Sequence, residues 1–169
     1  MSSGPVWQRL FKRVVPQSTP PPAAGVEVLR DGDLHARWYI MYRLEEELER
    51  ARRHSRPLTV MIAAPTLLPG ERATPEELEA ASSAARSAAR AFDLIGWVSQ
   101  YRFLIVLPET MSRDAQIVMS RWRDKMWLRT RVLGGREWVL TAVEHPEEYK
   151  TAEECVQAGI RQIAMKEAA

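Results

Sequence analysis

Cysteine is almost missing from this chain: Cys155 is the single one among 169 residues. One thiol excludes an intramolecular disulfide and suits a reducing compartment. Histidine is scarce too, and His35, His54 and His145 are scattered without the spacing of a zinc site, so no metal is expected. No apolar run nears the roughly 20 residues that span a bilayer. The first residues lack the continuous apolar core of a secretory signal, and the expected location is the cytoplasm. Net charge is close to zero, with 24 basic against 22 acidic side chains. A generic nucleic-acid binder would need a basic stripe to neutralise phosphates, so nucleic acid is not an expected partner.

What is present is the composition of a folded domain. Hydrophobic residues make up 46% and charged residues 27%, which is ordinary for a globular chain. A chain of this length buries a full core without disulfides or a structural metal. Cys155 falls in a helical apolar pattern, which predicts a buried structural thiol rather than a reactive one.

The first 30 residues stand apart from the rest. Trp7, Leu10, Phe11 and Val14 recur at i, i+3, i+4 and i+7, one apolar helical face, with Arg9, Lys12 and Arg13 elsewhere on the turn. Pro5 suits a first turn and Pro16 ends the pattern, so residues 1–16 read as an amphipathic segment. Residues 17–30, with Pro20-Pro21-Pro22 near their start, read as a proline-rich linker. A helix as short as the first segment is marginal in water and needs a surface to fold on. Trp7, Leu10, Phe11 and Val14 are therefore candidate contacts for the inner face of a membrane or for a groove in a partner protein. A frayed tail is the reading without function.

Residues 31–169 carry the domain. An amphipathic helix is predicted from about Leu34 to about Arg53, with Leu34, Trp38, Met41, Leu44 and Leu48 along one side. Leu58 to Ala63 is a buried strand after Pro57. Thr74-Pro75-Glu76-Glu77 starts an alanine-rich helix, Thr74 as N-cap and Pro75 in the first turn, which is expected to reach about Phe92. Strands follow at Leu94 to Val98 and Phe103 to Leu107, joined by a turn over Ser99 to Arg102. A helix from Ser112 or Arg113 to about Leu128, a strand from Trp138 to Val143 and a last helix from about Thr151 to Lys166 complete the chain. Helix–strand–helix–strand–strand–helix–strand–helix implies an α/β (α+β) sandwich with a central, mainly antiparallel sheet flanked by helices.

This order resembles the GGDEF domain of bacterial diguanylate cyclases, over about Leu34 to Lys166. Leu34-His35-Ala36-Arg37-Trp38-Tyr39, leading into Arg43-Leu44-Glu45-Glu46-Glu47, looks like the family's opening helix, and Arg56-Pro57-Leu58-Thr59-Val60-Met61-Ile62 is similar to its first core strand. Most specific is Ile95-Gly96-Trp97-Val98, five hairpin residues, then Leu104-Ile105-Val106-Leu107-Pro108-Glu109-Thr110. In the family this stretch carries the signature hairpin and an apolar strand ending in Leu-Pro-Glu-Thr. The resemblance implies a nucleotide-cyclase-like palm fold.

It also implies which residues the chemistry would require. Joining two GTP molecules needs divalent metal held by hard oxygen ligands, chiefly carboxylates. In the family these come from the end of the first strand and an acidic pair in the hairpin, after two glycines that let the backbone approach the nucleotide. Here the strand position is Ala63, the glycine positions are Ser99 and Gln100, and the acidic positions are Tyr101 and Arg102, followed by Phe103. The expectation is a degenerate, non-catalytic domain with no cofactor. An enzyme with altered nucleotide chemistry is the least favoured alternative.

Upstream, Arg90-Ala91-Phe92-Asp93 sits five residues before the hairpin. Many members of the family bind cyclic di-GMP through an Arg-x-x-Asp at this register, which makes Arg90 and Asp93 the candidate ligand-binding pair. The competing reading gives Asp93 local hydrogen-bonding work at a helix-to-strand junction and leaves Arg90 solvated. The expected function is signalling by binding, to cyclic di-GMP or to a protein, with a structural or assembly module as the alternative. A homodimer is compatible with either. Trp97, Trp122, Trp127 and Trp138 are expected mostly in the core.

Overall fold

The computed structural model describes residues 29–30, 34–133, 136–143 and 145–167. Trp7, Leu10, Phe11 and Val14 lie outside the described residues. The order is β1 (Leu29–Arg30), β2 (Leu34–His35), α1 (Arg37–His54), β3 (Leu58–Pro65), α2 (Pro75–Ala88), β4 (Leu94–Trp97), β5 (Phe103–Pro108), α3 (Ser112–Leu133), β6 (Trp138–Val143), a 3-10 turn (Pro146–Glu148) and α4 (Ala152–Glu167). The strands form one six-stranded sheet in the order β1-β2-β4-β5-β3-β6. Pairing from β4 to β6 is antiparallel throughout, and β2 joins β4 in parallel. This is the expected α/β sandwich.

β3 is the middle of that block, which is why its sequence is apolar without alternation: every residue from Leu58 to Pro65 is buried. Its side chains still divide between the two faces, as strand geometry demands. Met61 and Ala63 join Ile95, Trp97, Phe103 and Ile105 under α2 and α3. Val60, Ile62 and Ala64 join Leu94, Leu104 and Val106 under α1 and α4. The first face is alanine and aromatic, the second mostly branched aliphatic.

Local signals hold where they are self-contained. Thr74 caps α2 as a complete capping box: its Oγ1 accepts from Glu77 N–H at 3.2 Å, and Glu77 Oε2 accepts from Thr74 N–H at 2.8 Å. Cys155 is fully buried, and burial pushes its thiol up to about 12, as expected of an inert structural cysteine. Trp97, Trp122 and Trp138 are buried in the core.

Other boundaries move. Leu34 and His35 do not begin α1; they pair with Arg30 on one side and Gly96 on the other. Leu34 accordingly packs beneath α2 and α3, while the buried stripe of α1 is Ile40, Met41, Leu44, Glu47, Leu48 and Ala51 on the opposite face. β1 likewise draws Leu29–Arg30 into the sheet edge. Gly96 permits this close approach, since a Cβ there would lie 2.8 Å from the His35 carbonyl oxygen and run into Ile40. α2 stops at Ala88 rather than Phe92, because residues 89–93 turn the chain back into the sheet. β4 ends at Trp97, one residue early, where Val98 N–H turns to the Arg102 carbonyl. α3 runs on to Leu133, past the expected end at Leu128. Trp127 is a correction of kind: it is 58% exposed, because it stands one position, about 100°, round the helix from the buried Met126.

Candidate functional site

β4 is four residues long, with a turn of chemical interest at each end. At its C-terminal end the chain reverses tightly into β5, with Val98 N–H donating to the Arg102 carbonyl at 2.9 Å and Ser99 N–H reaching the same oxygen at 3.3 Å. Ser99, Tyr101 and Arg102 are half-buried and Gln100 is exposed. Phe103 then enters the sheet directly opposite Ala63, and both are fully buried. The register thus brings together the two predicted positions that lie farthest apart in the chain.

Phe103 is the hub of an aromatic cluster. Its ring lies 5.7 Å from Trp97, 5.6 Å from Trp138 and 6.3 Å from Trp122, and the Trp97 and Trp122 contacts are edge-on. Trp122 meets Trp138 at 6.3 Å and satisfies its indole N–H on the Ala81 carbonyl at 3.3 Å. Complete burial of a ring such as Phe103 contributes roughly 1.5–3 kcal/mol. Arg102 Nε is shielded from solvent and has no hydrogen-bond partner among the described residues.

The loop between β3 and α2 is tied down beside this cluster. Arg136, just before β6, donates to the Thr66 carbonyl at 3.2 Å, hydrogen-bonds the Glu71 carboxylate and lies 3.5 Å from Glu77. Glu71 in turn accepts from Leu68 N–H at 3.0 Å. These bonds, the Leu68 amide first and Arg136 second, hold the Glu71 carboxyl below its usual range.

At the other end of β4, Asp93 closes the turn out of α2. Its Oδ2 accepts from the backbone N–H of Arg90 at 2.6 Å, and its own N–H returns to the Arg90 carbonyl at 3.1 Å. The local work expected of this carboxylate is therefore present. Oδ1 is shielded from solvent and has no hydrogen-bond partner among the described residues. Burial raises the Asp93 carboxyl above its ordinary value, with the Arg90 N–H bond and the Arg90 charge pulling the other way. The exposed Arg90 guanidinium lies over the Phe92 ring, 5.8 Å from its centroid, and Phe92 is itself 58% exposed.

The assembled architecture is shared with solved structures. A sensory box/GGDEF family protein from Caulobacter crescentus matches at 16% identity with a TM-score of 0.63, covering 85% of this chain and 100% of that one. The fold is that of a GGDEF domain. The GGDEF domain of DgcB from C. crescentus, solved with c-di-GMP, matches at 11% identity and TM-score 0.63 over 89% of this chain and 94% of that chain. The diguanylate cyclase SiaD from Pseudomonas aeruginosa, solved with its activator SiaC, matches at 24% identity and TM-score 0.63, covering 92% of this chain and 59% of that one. No protein-family model and no curated protein matches the chain. At these identities the likeness shows the GGDEF fold.

Two features of the site escaped the sequence. The Arg136 brace joins residues 65 and 70 positions apart, and nothing local marks Arg136 as a partner of Thr66 and Glu71. The sequence pattern puts Phe92 in the last turn of a helix, and only the early end of α2 leaves its ring in the open between Arg90 and Asp93.

Proposed function

We propose that this chain is a non-catalytic signalling domain on the GGDEF fold, and that it acts by binding cyclic di-GMP through Arg90 and Asp93. The observation that carries this reading is the Asp93 carboxylate: one oxygen is engaged by Arg90 N–H, the other is unpartnered, and the Arg90 charge is near enough to act on the carboxyl. An unpaired buried oxygen costs about 1–3 kcal/mol. Turned toward the N–H donors on a guanine edge, it recovers hydrogen bonding that the free protein lacks, while the Arg90 fork supplies donors and a planar face for stacking. The c-di-GMP complex of DgcB is a precedent on the same fold.

Absence of cyclase activity rests on different positions. Ala63 offers no side-chain ligand and is sealed against Phe103, and Arg102 sets a cation where the resemblance calls for a carboxylate. Residues of this kind do not fit a divalent cation, which requires several hard oxygens. The Arg136 brace favours a second reading, in which the domain is an assembly module recognised by a protein, as SiaD is by SiaC.

Isothermal calorimetry of cyclic di-GMP against the full chain and Arg90→Ala tests the proposal. Binding by the wild type, weakened in the variant, is the expected result. No heat at high protein concentration sinks the receptor reading and leaves the assembly module. Product from GTP and magnesium overturns the absence of catalysis.

A further inference from the structure

The solvent side of α3 carries Ile117, Trp127, Leu128 and Val132, each 54–72% exposed. Exposed apolar side chains are ordinary when scattered singly, but Trp127, Leu128 and Val132 are gathered on the last turns of one helix. The same helix is strongly basic: Arg113, Arg121, Arg123, Lys125, Arg129 and Arg131 stand against only Asp114 and Asp124. The whole chain has 24 basic and 22 acidic residues, so everything outside α3 has 18 basic and 20 acidic ones and is net negative. The excess positive charge of a near-neutral protein is thus concentrated on this one helix, although its outer side also carries the exposed Asp124.

The disposition of those cations matters. Lys125 and Arg129 turn inward, to Ser87 Oγ at 2.7 Å and Ser83 Oγ at 3.4 Å, and help seat α3 on α2. Arg131 lies over the Trp127 ring, 4.6 Å from its centroid. Arg121 and Arg123 have no ion-pair partner among the described residues.

We propose that the outer face of α3 docks the domain on an anionic lipid surface, Trp127, Leu128 and Val132 entering the headgroup layer while Arg121 and Arg131 meet the acidic headgroups. Indole rings favour that interface, and arginine stems cover apolar area while their charged ends stay wet. A protein partner is less well served: the patch is the convex side of a helix, and its few apolar side chains fall short of the roughly 1,000 Å² that a specific interface requires. Residues 1–16 repeat the chemistry, with Trp7 and Phe11 beside Arg9, Lys12 and Arg13 and no acidic residue. Either element alone attaches weakly, and two on one chain reinforce each other. The linker between Pro16 and Leu29 spans at most about 47 Å when extended, ample for a domain with a radius of gyration of about 14 Å. No helix of the described residues is long and apolar enough to cross a membrane, so the contact is with its surface.

Sedimentation of the full chain with vesicles tests this, using phosphatidylcholine alone and phosphatidylcholine mixed with phosphatidylglycerol. The chain should pellet with the anionic vesicles only, and less at high salt. Replacing Arg121 and Arg131 by Gln should weaken partition roughly thirtyfold, and Trp127→Ser with Leu128→Ser should weaken it about tenfold. All four positions are exposed, and unchanged circular dichroism confirms that the variants fold. Removing residues 1–16 should reduce pelleting without abolishing it. Unchanged partition of both α3 variants, or complete loss on removing residues 1–16, overturns the proposal. So does a failure of the full chain to pellet, which assigns the patch to an acidic protein, or to a second copy if a dimer seen by ultracentrifugation is lost in the Trp127/Leu128 variant.

Discussion

The two turns that bracket β4 treat their candidate positions in opposite ways. At the hairpin, Ala63 and Phe103 face each other inside an apolar cluster with three tryptophans. At the other end, Asp93 keeps a carboxylate with one oxygen unused and Arg90 in the open. At the first, the strand residues that flank the turn are in the core, where side chains contribute through packing. The other remains polar, half-buried and incompletely satisfied, which is the condition in which a ligand can add hydrogen bonds. On the proposed reading, the contrast puts stability at one end of a four-residue strand and recognition at the other.

The strongest test of that contrast is Phe103→Ala. Loss of a fully buried ring from the cluster should cost about 3–5 kcal/mol in urea unfolding. Cyclic di-GMP binding should survive under conditions where the variant is folded. If binding is lost while the fold persists, the two turns are not separable.

Arg90→Ala is the converse. Removing the charged donor should weaken cyclic di-GMP by about ten- to a hundredfold, as for hydrogen bonds to charged groups worth about 1.5–3 kcal/mol, while thermal stability is unchanged. A stability loss comparable to that of Phe103→Ala would mean that Arg90 is structural.

Arg136→Gln sharpens the hairpin side. The loop from Thr66 to Ala73 should open more often, read as faster tryptic cleavage after Arg72, with little change in global unfolding. Unchanged cleavage would show that the brace adds nothing to the loop's order.

The smallest effect belongs to Asp93→Asn. Burial raises the folded pKa of Asp93 above the ordinary 3.8. Folding therefore favours its protonated form: the contribution is complete below about pH 3.8 and is lost as pH rises through the folded value. The amide keeps an oxygen for Arg90 N–H and carries no charge, so the variant's melting temperature should lose that part of its pH dependence. A parallel pH profile for wild type and variant would refute the assignment.

Several of these features were legible in the residues. Thr74-Pro75-Glu76-Glu77 encodes its own cap, and the unbroken run from Leu58 announces a central strand. Such signals are local, resting on spacing and on the chemistry of adjacent groups. Periodicity misled where a neighbouring chain segment decided the outcome. Leu34 fits a helical stripe, yet its backbone is claimed by Arg30 and the β2 strand it opens by Gly96. Trp127 fits an aromatic core, yet α3 turns it outward.

By itself, then, the sequence determined the order of elements from α1 to α4 and the antiparallel core. Only the tertiary structure decided that Ala63 closes against Phe103, that Arg136 braces the loop over residues 66–77, that Asp93 leaves one oxygen unused and that α3 presents apolar and basic side chains together. Each of these depends on which distant backbone comes alongside, and that is set by burial of the whole core rather than by any local stretch.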